Sequence, residues 1–109
     1  MLEMNMEFRK GILFIRLNGI LNAATSKKLA DQVNDFVQKK GIKYFTFNLE
    51  GLEEITQEGI DTIRENYHQI VSFQGNLVLC GVKSEGMRTV FEDVYQSSSE
   101  LGVFQMLQI

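Results

Sequence analysis

The chain has 109 residues, 44% of them hydrophobic and 23% charged, with a formal net charge of -3. This length suits one domain, residues 1–109, with a full core, and the composition is that of a folded chain rather than a disordered one. The acidic balance argues against nucleic acid as a partner, because no basic run is present to neutralise phosphates. Two adjacent basic pairs, Lys27-Lys28 and Lys39-Lys40, share a helical stretch with Asp31 and Asp35.

In chain order, Leu2, Met4, Met6 and Phe8 alternate with Glu3, Asn5, Glu7 and Arg9, the period of a strand with one buried face. Lys10-Gly11 marks a turn, and "ILFIRLNG" reads as the return arm of a hairpin. From Thr25 to Lys40, Leu29, Val33, Phe36 and Val37 fall on one helical face, with Thr25 or Ser26 as the expected cap and Gly41 as the stop. "IKYFTFNL" is a third strand, followed by an expected loop rich in carboxylates. Ile60, Ile63, Tyr67, Ile70 and Val71 form the stripe of a second helix. After the "FQGN" turn, the short run "LVLCGV" reads as a strand buried on both faces. Ser84 is the expected cap of a third helix with Met87, Val90, Phe91 and Val94 inward. "QSSSE" reads as a loop and "VFQMLQI" as a last strand or a docked tail. The expected class is α/β, a mixed sheet with packed helices in the order β-β-α-β-α-β-α-β.

A single cysteine, Cys80, excludes an intrachain disulfide and suits a reducing compartment. No apolar stretch approaches the roughly 18 residues that span a bilayer, and "MLEMNMEF" lacks the order of a signal peptide. The expectation is a cytoplasmic protein without direct membrane insertion.

Catalytic chemistry finds little support. The single histidine, His68, follows the inward Tyr67 on the second helix and is expected at the surface. Cys80 lies in the most apolar strand, where a thiol behaves as a small hydrophobe. No His/Cys spacing fits zinc, and no glycine pattern fits a phosphate loop, so no metal and no cofactor are expected. The densest polar feature is the run from Glu50 through Glu53, Glu54 and Glu58 to Asp61, with no basic residue before Arg64. Carboxylates beside a helix N-terminus complement its dipole, each by about 0.3–1 kcal/mol when exposed. Thr56 fits an N-cap there, and the EF-hand regularity of a calcium loop is missing. Gly59 is costly early in a helix, by up to ~1 kcal/mol, which points to the close approach of another backbone or of a partner.

Three stretches, "GILFIRLNGILNAATSKKLADQV", "IKYFTFNLEGLEEITQEGIDTI" and "GNLVLCGVKSEGMRTVFEDVYQ", together resemble the STAS domain in its small bacterial form, the anti-sigma factor antagonists. Members of that family read G-E-L-D-x-x-T before the first helix, where this chain has Gly19-Ile20-Leu21-Asn22-Ala23-Ala24-Thr25. Before the second helix they read D-S-[SA]-G, where this chain has Thr56-Gln57-Glu58-Gly59. The resemblance implies a SpoIIAA-like STAS fold and partner switching. Such an antagonist binds an anti-sigma factor that is also a serine kinase, and phosphorylation of a serine at the helix N-terminus ends the contact.

That serine position is Gln57 here, and the two neighbouring aspartates are Thr56 and Asn22, so the resemblance implies docking without the usual switch. Gln57 either holds the binding-competent state or, with Glu58, imitates the released one; its neutrality favours the first. Thr56 stays open as a substitute phosphoacceptor. The partner-binding residues expected on the face of residues 50–64 and beside it are Asn22, Thr25, Glu54, Thr56, Gln57, Glu58, Gly59 and Thr62. The expected partner is an anti-sigma factor or another regulatory protein, with the chain a monomer or weak homodimer. Two other roles fit the resemblance: an accessory subunit of a membrane lipid-transport ATPase, and a nucleotide or small-ligand sensor.

Overall fold

The structure is a computed structural model that describes residues 1–107. Strand β1, Leu2–Arg9, turns at Lys10 and Gly11, both at positive φ (52° and 84°), into β2, Ile12–Leu21. Helix α1, Ala23–Gln38, follows, and Gly41 just beyond it takes the left-handed conformation that stops a helix, φ 64°. Next come β3, Tyr44–Ile55, and α2, Gln57–Ser72. Strand β4, Asn76–Cys80, leads to α3, Glu85–Val90, whose first turn is capped by Ser84 accepting from the Met87 N–H. A three-residue β5, Tyr95–Ser97, and helix α4, Glu100–Leu107, complete the described chain.

The five strands lie in the order β1-β2-β3-β4-β5, antiparallel between β1 and β2 and parallel from β2 to β5. Successive residues of a strand face opposite sides, so the sheet has two different faces. Leu13, Ile15, Phe45, Phe47, Leu77 and Leu79 point to an inner face covered by Leu29, Val33 and Val37 of α1 and by Ile63 and Ile70 of α2. The outer face is split. Ile12, Phe14 and Val78 form an apolar half under Val103, Phe104 and Leu107 of α4. Its polar half holds Arg16, which donates to Glu100 at 2.7 and 2.8 Å and to Glu7 at 2.9 Å, while Asn48 donates to Glu100 at 2.9 Å. The Arg16 hydrogen bonds hold the Glu100 carboxyl below its ordinary range, and this pair fastens the start of α4 to the sheet.

Four expectations are corrected. Asn22, not Thr25 or Ser26, caps α1, and Thr25 is its reciprocal partner in a capping box. The run after "IKYFTFNL" is not a loop: β3 continues through Glu50, Glu53 and Glu54 to Ile55. Its pairing with β2 shifts register twice, between Arg16 and Asn18 and between Gly19 and Ile20, and those irregularities break the alternation that marks a strand. The last strand lies at Tyr95–Ser97, inside the expected loop. "VFQMLQI" enters a helix whose inward Val103, Phe104 and Leu107 have helical spacing, so the docked-tail alternative holds in helical form; Gln108 and Ile109 lie outside the described residues. Among the expected inward side chains, Val71 and Val90 are exposed, as are Met6 and Phe8 on β1.

Thr46, at the centre of β3, is fully buried between Phe14 and Val78, and its hydroxyl has no hydrogen-bond partner among the described residues. A buried unpartnered hydroxyl costs free energy that an isosteric methyl does not. Thr46→Val is therefore expected to raise the unfolding free energy by about 1 kcal/mol, measured by denaturant titration. A loss of stability would show that the hydroxyl is satisfied.

Candidate functional site

Strands β2 and β3 end side by side, with Leu21 paired to Ile55, and each feeds a helix at once. The N-termini of α1 and α2 are thereby neighbours at one end of the sheet. A backbone bond joins them, the Thr56 N–H donating to the Leu21 carbonyl at 3.0 Å. Gly59, buried in the first turn of α2, makes this closeness possible. A Cβ there would stand 2.6 Å from the Leu21 oxygen, 2.9 Å from Leu21 Cγ and 3.0 Å from Ile55 Cγ1. The glycine thus serves the close approach of another backbone, and its burial places it under the surface rather than on it.

The eight expected site residues do share this end of the molecule, with different parts. Asn22 and Thr25 are half-buried and occupied with each other. Asn22 Oδ1 accepts from the Thr25 N–H at 3.1 Å, and Thr25 Oγ1 accepts from the Asn22 N–H at 2.9 Å and donates to the Ile20 carbonyl at 2.8 Å. Thr56 stands at the N-cap of α2, yet its hydroxyl makes no cap bond and is buried without a partner among the described residues. Glu54, Gln57 and Glu58 are exposed, and Thr62 is half-buried one turn further on. Gln57 Nε2 donates to Asp61 Oδ1 at 2.9 Å, an i,i+4 pair that lays the amide along the helix surface.

Exposed carboxylates run from the end of β3 into α2: Glu53, Glu54, Glu58 and Asp61, none of which forms an ion pair among the described residues. Glu50 is exposed as well, but it stands further back on β3, beside Arg16 and Asn48. The dipole of α2 accounts for Glu58 in its first turn; it does not account for three carboxylates on the preceding strand.

Beside them lies a cleft of about 140 Å³, with Leu52, Ile55, Val82 and Met87 as apolar lining and Glu53, Glu54 and Lys83 at its edge. Lys83 reaches across to the Leu52 carbonyl at 3.3 Å. Nothing local to Val82, Lys83 and Met87 signals in the sequence that the turn after β4 folds back against β3 and brings them to this cleft. At this volume the cleft is small beside the roughly 300 Å³ or more of small-molecule sites, and a whole nucleotide does not fit it. Cys80 is outside the site: it is buried, and burial pushes its thiol up to about 12, so it stays protonated at neutral pH. His68 is exposed, its ring beside that of Tyr67.

The profile of the STAS domain covers residues 3–105. The chain belongs to the STAS domain family. An anti-sigma F factor antagonist of Paenibacillus polymyxa is 27% identical over 81 residues, which are 74% of this chain and 69% of that protein. Among solved structures, the anti-sigma factor antagonist SpoIIAA in its unphosphorylated form superposes with a TM-score of 0.82 at 16% identity, over 97% of this chain and 98% of that one. An anti-sigma factor antagonist from Mycobacterium paratuberculosis gives a TM-score of 0.81 at 12% identity, over 100% and 96% of the two chains. The STAS fold expected from the sequence is the fold observed, and the relatives it resembles include anti-sigma factor antagonists.

Proposed function

We propose that this STAS domain docks a regulatory protein, an anti-sigma factor, through the end of β3 and the first turns of α2, and that the contact is not switched by phosphorylation there. The observation that carries the reading is the set of four exposed carboxylates from the end of β3 into α2, Glu53, Glu54, Glu58 and Asp61, none in an ion pair among the described residues. An excess of one sign there favours a partner with a basic surface and repels acidic ones. The first turn of α2 also offers no accessible hydroxyl: Thr56 Oγ1 is buried, and Gln57, Glu58 and Gly59 carry none. A neutral amide at position 57 is the electrostatic equal of a serine without phosphate, so the surface stays in its binding form.

Capture from cells of the source organism with wild-type protein and with the Gln57→Asp variant, identified by mass spectrometry, tests this. Wild type is expected to retain an ATP-binding anti-sigma factor, and Gln57→Asp to retain it at least about tenfold less, because an added charge meets a desolvated interface centre. Asp35→Asn, on the last turn of α1 at the far end of the molecule, is expected to bind like wild type. Recovery of transport-ATPase components instead, or of a partner indifferent to Gln57→Asp, would contradict the proposal.

A further inference from the structure

The two edges of the sheet are not alike. At one edge β5 is three residues long and too short to template a partner strand. At the other, β1 runs unbroken for eight residues against β2, with no bulge in the pairing and no proline in the chain. Natural proteins blunt such an edge with lysines, prolines, bulges or an overlying loop. Here Lys28 bonds the Leu2 carbonyl at one end. The inner face of β1 is also incompletely covered. Leu2 is buried, but Met6 is 36% and Phe8 59% exposed, so an apolar stripe runs out from beneath the helices to the free edge. A long unpaired edge with apolar side chains on one face suits another strand of the same character.

We infer that β1 pairs antiparallel with β1 of a second copy of this chain, about a two-fold axis at Met6, to give a continuous ten-stranded sheet. The side chains choose both partner and register. Directly opposed residues of an antiparallel pair share a face, so a two-fold axis must pass through a residue of the strand. With the axis at Met6, Met6 meets Met6 of the second copy and Met4 meets its Phe8, closing the apolar stripe. On the other face Glu3 stands opposite Arg9 of the second copy, and Asn5 opposite its Glu7. By symmetry the Glu3–Arg9 pair forms twice.

Moving the axis to Asn5 would set Glu3 against Glu7 of the second copy, also twice, and like charges directly opposed are destabilising. Glu3 has no ion-pair partner among the described residues, and Arg9 has only an exposed contact to Glu7 at 3.6 Å. Glu3 is free to bridge the copies; Arg9 also lies over the Phe104 ring at 5.6 Å and turns from it to do so. Because β1 lies at the sheet edge away from β4, the pairing leaves the β3–α2 surface of each copy open. The inference therefore stands or falls apart from the proposed function.

Sedimentation velocity of the full chain over a range of micromolar concentrations, joined to cysteine cross-linking, tests it. A reversible dimer is expected, weakened about tenfold or more by Arg9→Glu, which turns two attractive pairs into repulsive ones, and restored by the double variant Glu3→Arg/Arg9→Glu. Met6→Cys is expected to cross-link on oxidation, since residues facing each other across the axis bring their Cβ atoms within about 5 Å, whereas Asn5→Cys is not. Both positions are at the surface of a strand edge, and circular dichroism of each variant checks that it is folded. A chain that remains monomeric throughout, or that cross-links through Asn5→Cys in place of Met6→Cys, would overturn the inference.

Discussion

Replacing Phe47 by alanine is expected to lower the unfolding free energy by about 3–5 kcal/mol, the range for emptying a buried aromatic site. Phe47 is fully buried on the central strand, with Ile15 and Leu79 beside it in register and the helices above. The strands on either side are themselves held by ladders, so the surroundings cannot collapse into the space. The loss is expected to be cooperative, seen as a shifted denaturant midpoint without a changed slope. Its neighbour Thr46 faces the other side of the same strand, and its substitution by valine carries the opposite sign. One strand with two such different faces is a direct consequence of the alternation that places α1 and α2 on one side and α4 on the other. A Phe47→Ala cost below about 1 kcal/mol would mean that the inner face is not close-packed.

The second large effect is expected at Gly59. Gly59→Val would drive a branched Cβ into the Leu21 carbonyl, whose oxygen lies 2.6 Å from where that atom would be built. A carbonyl within a paired strand cannot rotate away, so helix α2 must lift from β2. Overpacking of this kind costs about 1–3 kcal/mol. Because α2 also carries Gln57 and Glu58, the displacement is expected to weaken partner binding as well, although Gly59 itself lies beneath the surface. The two effects separate by measuring thermal unfolding and affinity for the captured partner on the same preparation. A variant as stable as wild type would show that the contact of α2 with β2 is loose. A stable variant that failed to bind would instead make Gly59 a contact residue.

Much of this fold is written in local patterns. The period-2 run at the start of β1, the stripes of Leu29 with Val33 and of Ile63 with Ile70, and the stop at Gly41 each report a short-range preference that packing later reinforces. Where the pattern fails, the reason is tertiary. β3 reads as a loop after Leu49 because two register shifts against β2 turn Glu53 and Glu54 out together, a property of the pair of strands and not of either sequence. Asn22, Thr25 and Ser26 are equally good cap types for α1, and only the folded chain decides between them. β5 is three polar residues long, too little for periodicity to register.

The site was legible in part through its carboxylates and its resemblance to anti-sigma factor antagonists. The burial of the Thr56 hydroxyl, the occupation of Asn22 and Thr25 by each other, and the cleft under Val82 and Met87 depend on how separate elements meet. None leaves a trace in nearby sequence.

The central claim is a docking surface that phosphorylation of its first helical turn does not switch. Its most direct test adds ATP and magnesium to the complex of wild-type protein with its captured partner, following affinity by calorimetry and phosphate on residues 50–64 by mass spectrometry. Unchanged affinity with Thr56 unmodified is the predicted result. Phosphate on Thr56 together with release of the partner would contradict the account, and would make Thr56 the hydroxyl that stands in for the family's serine.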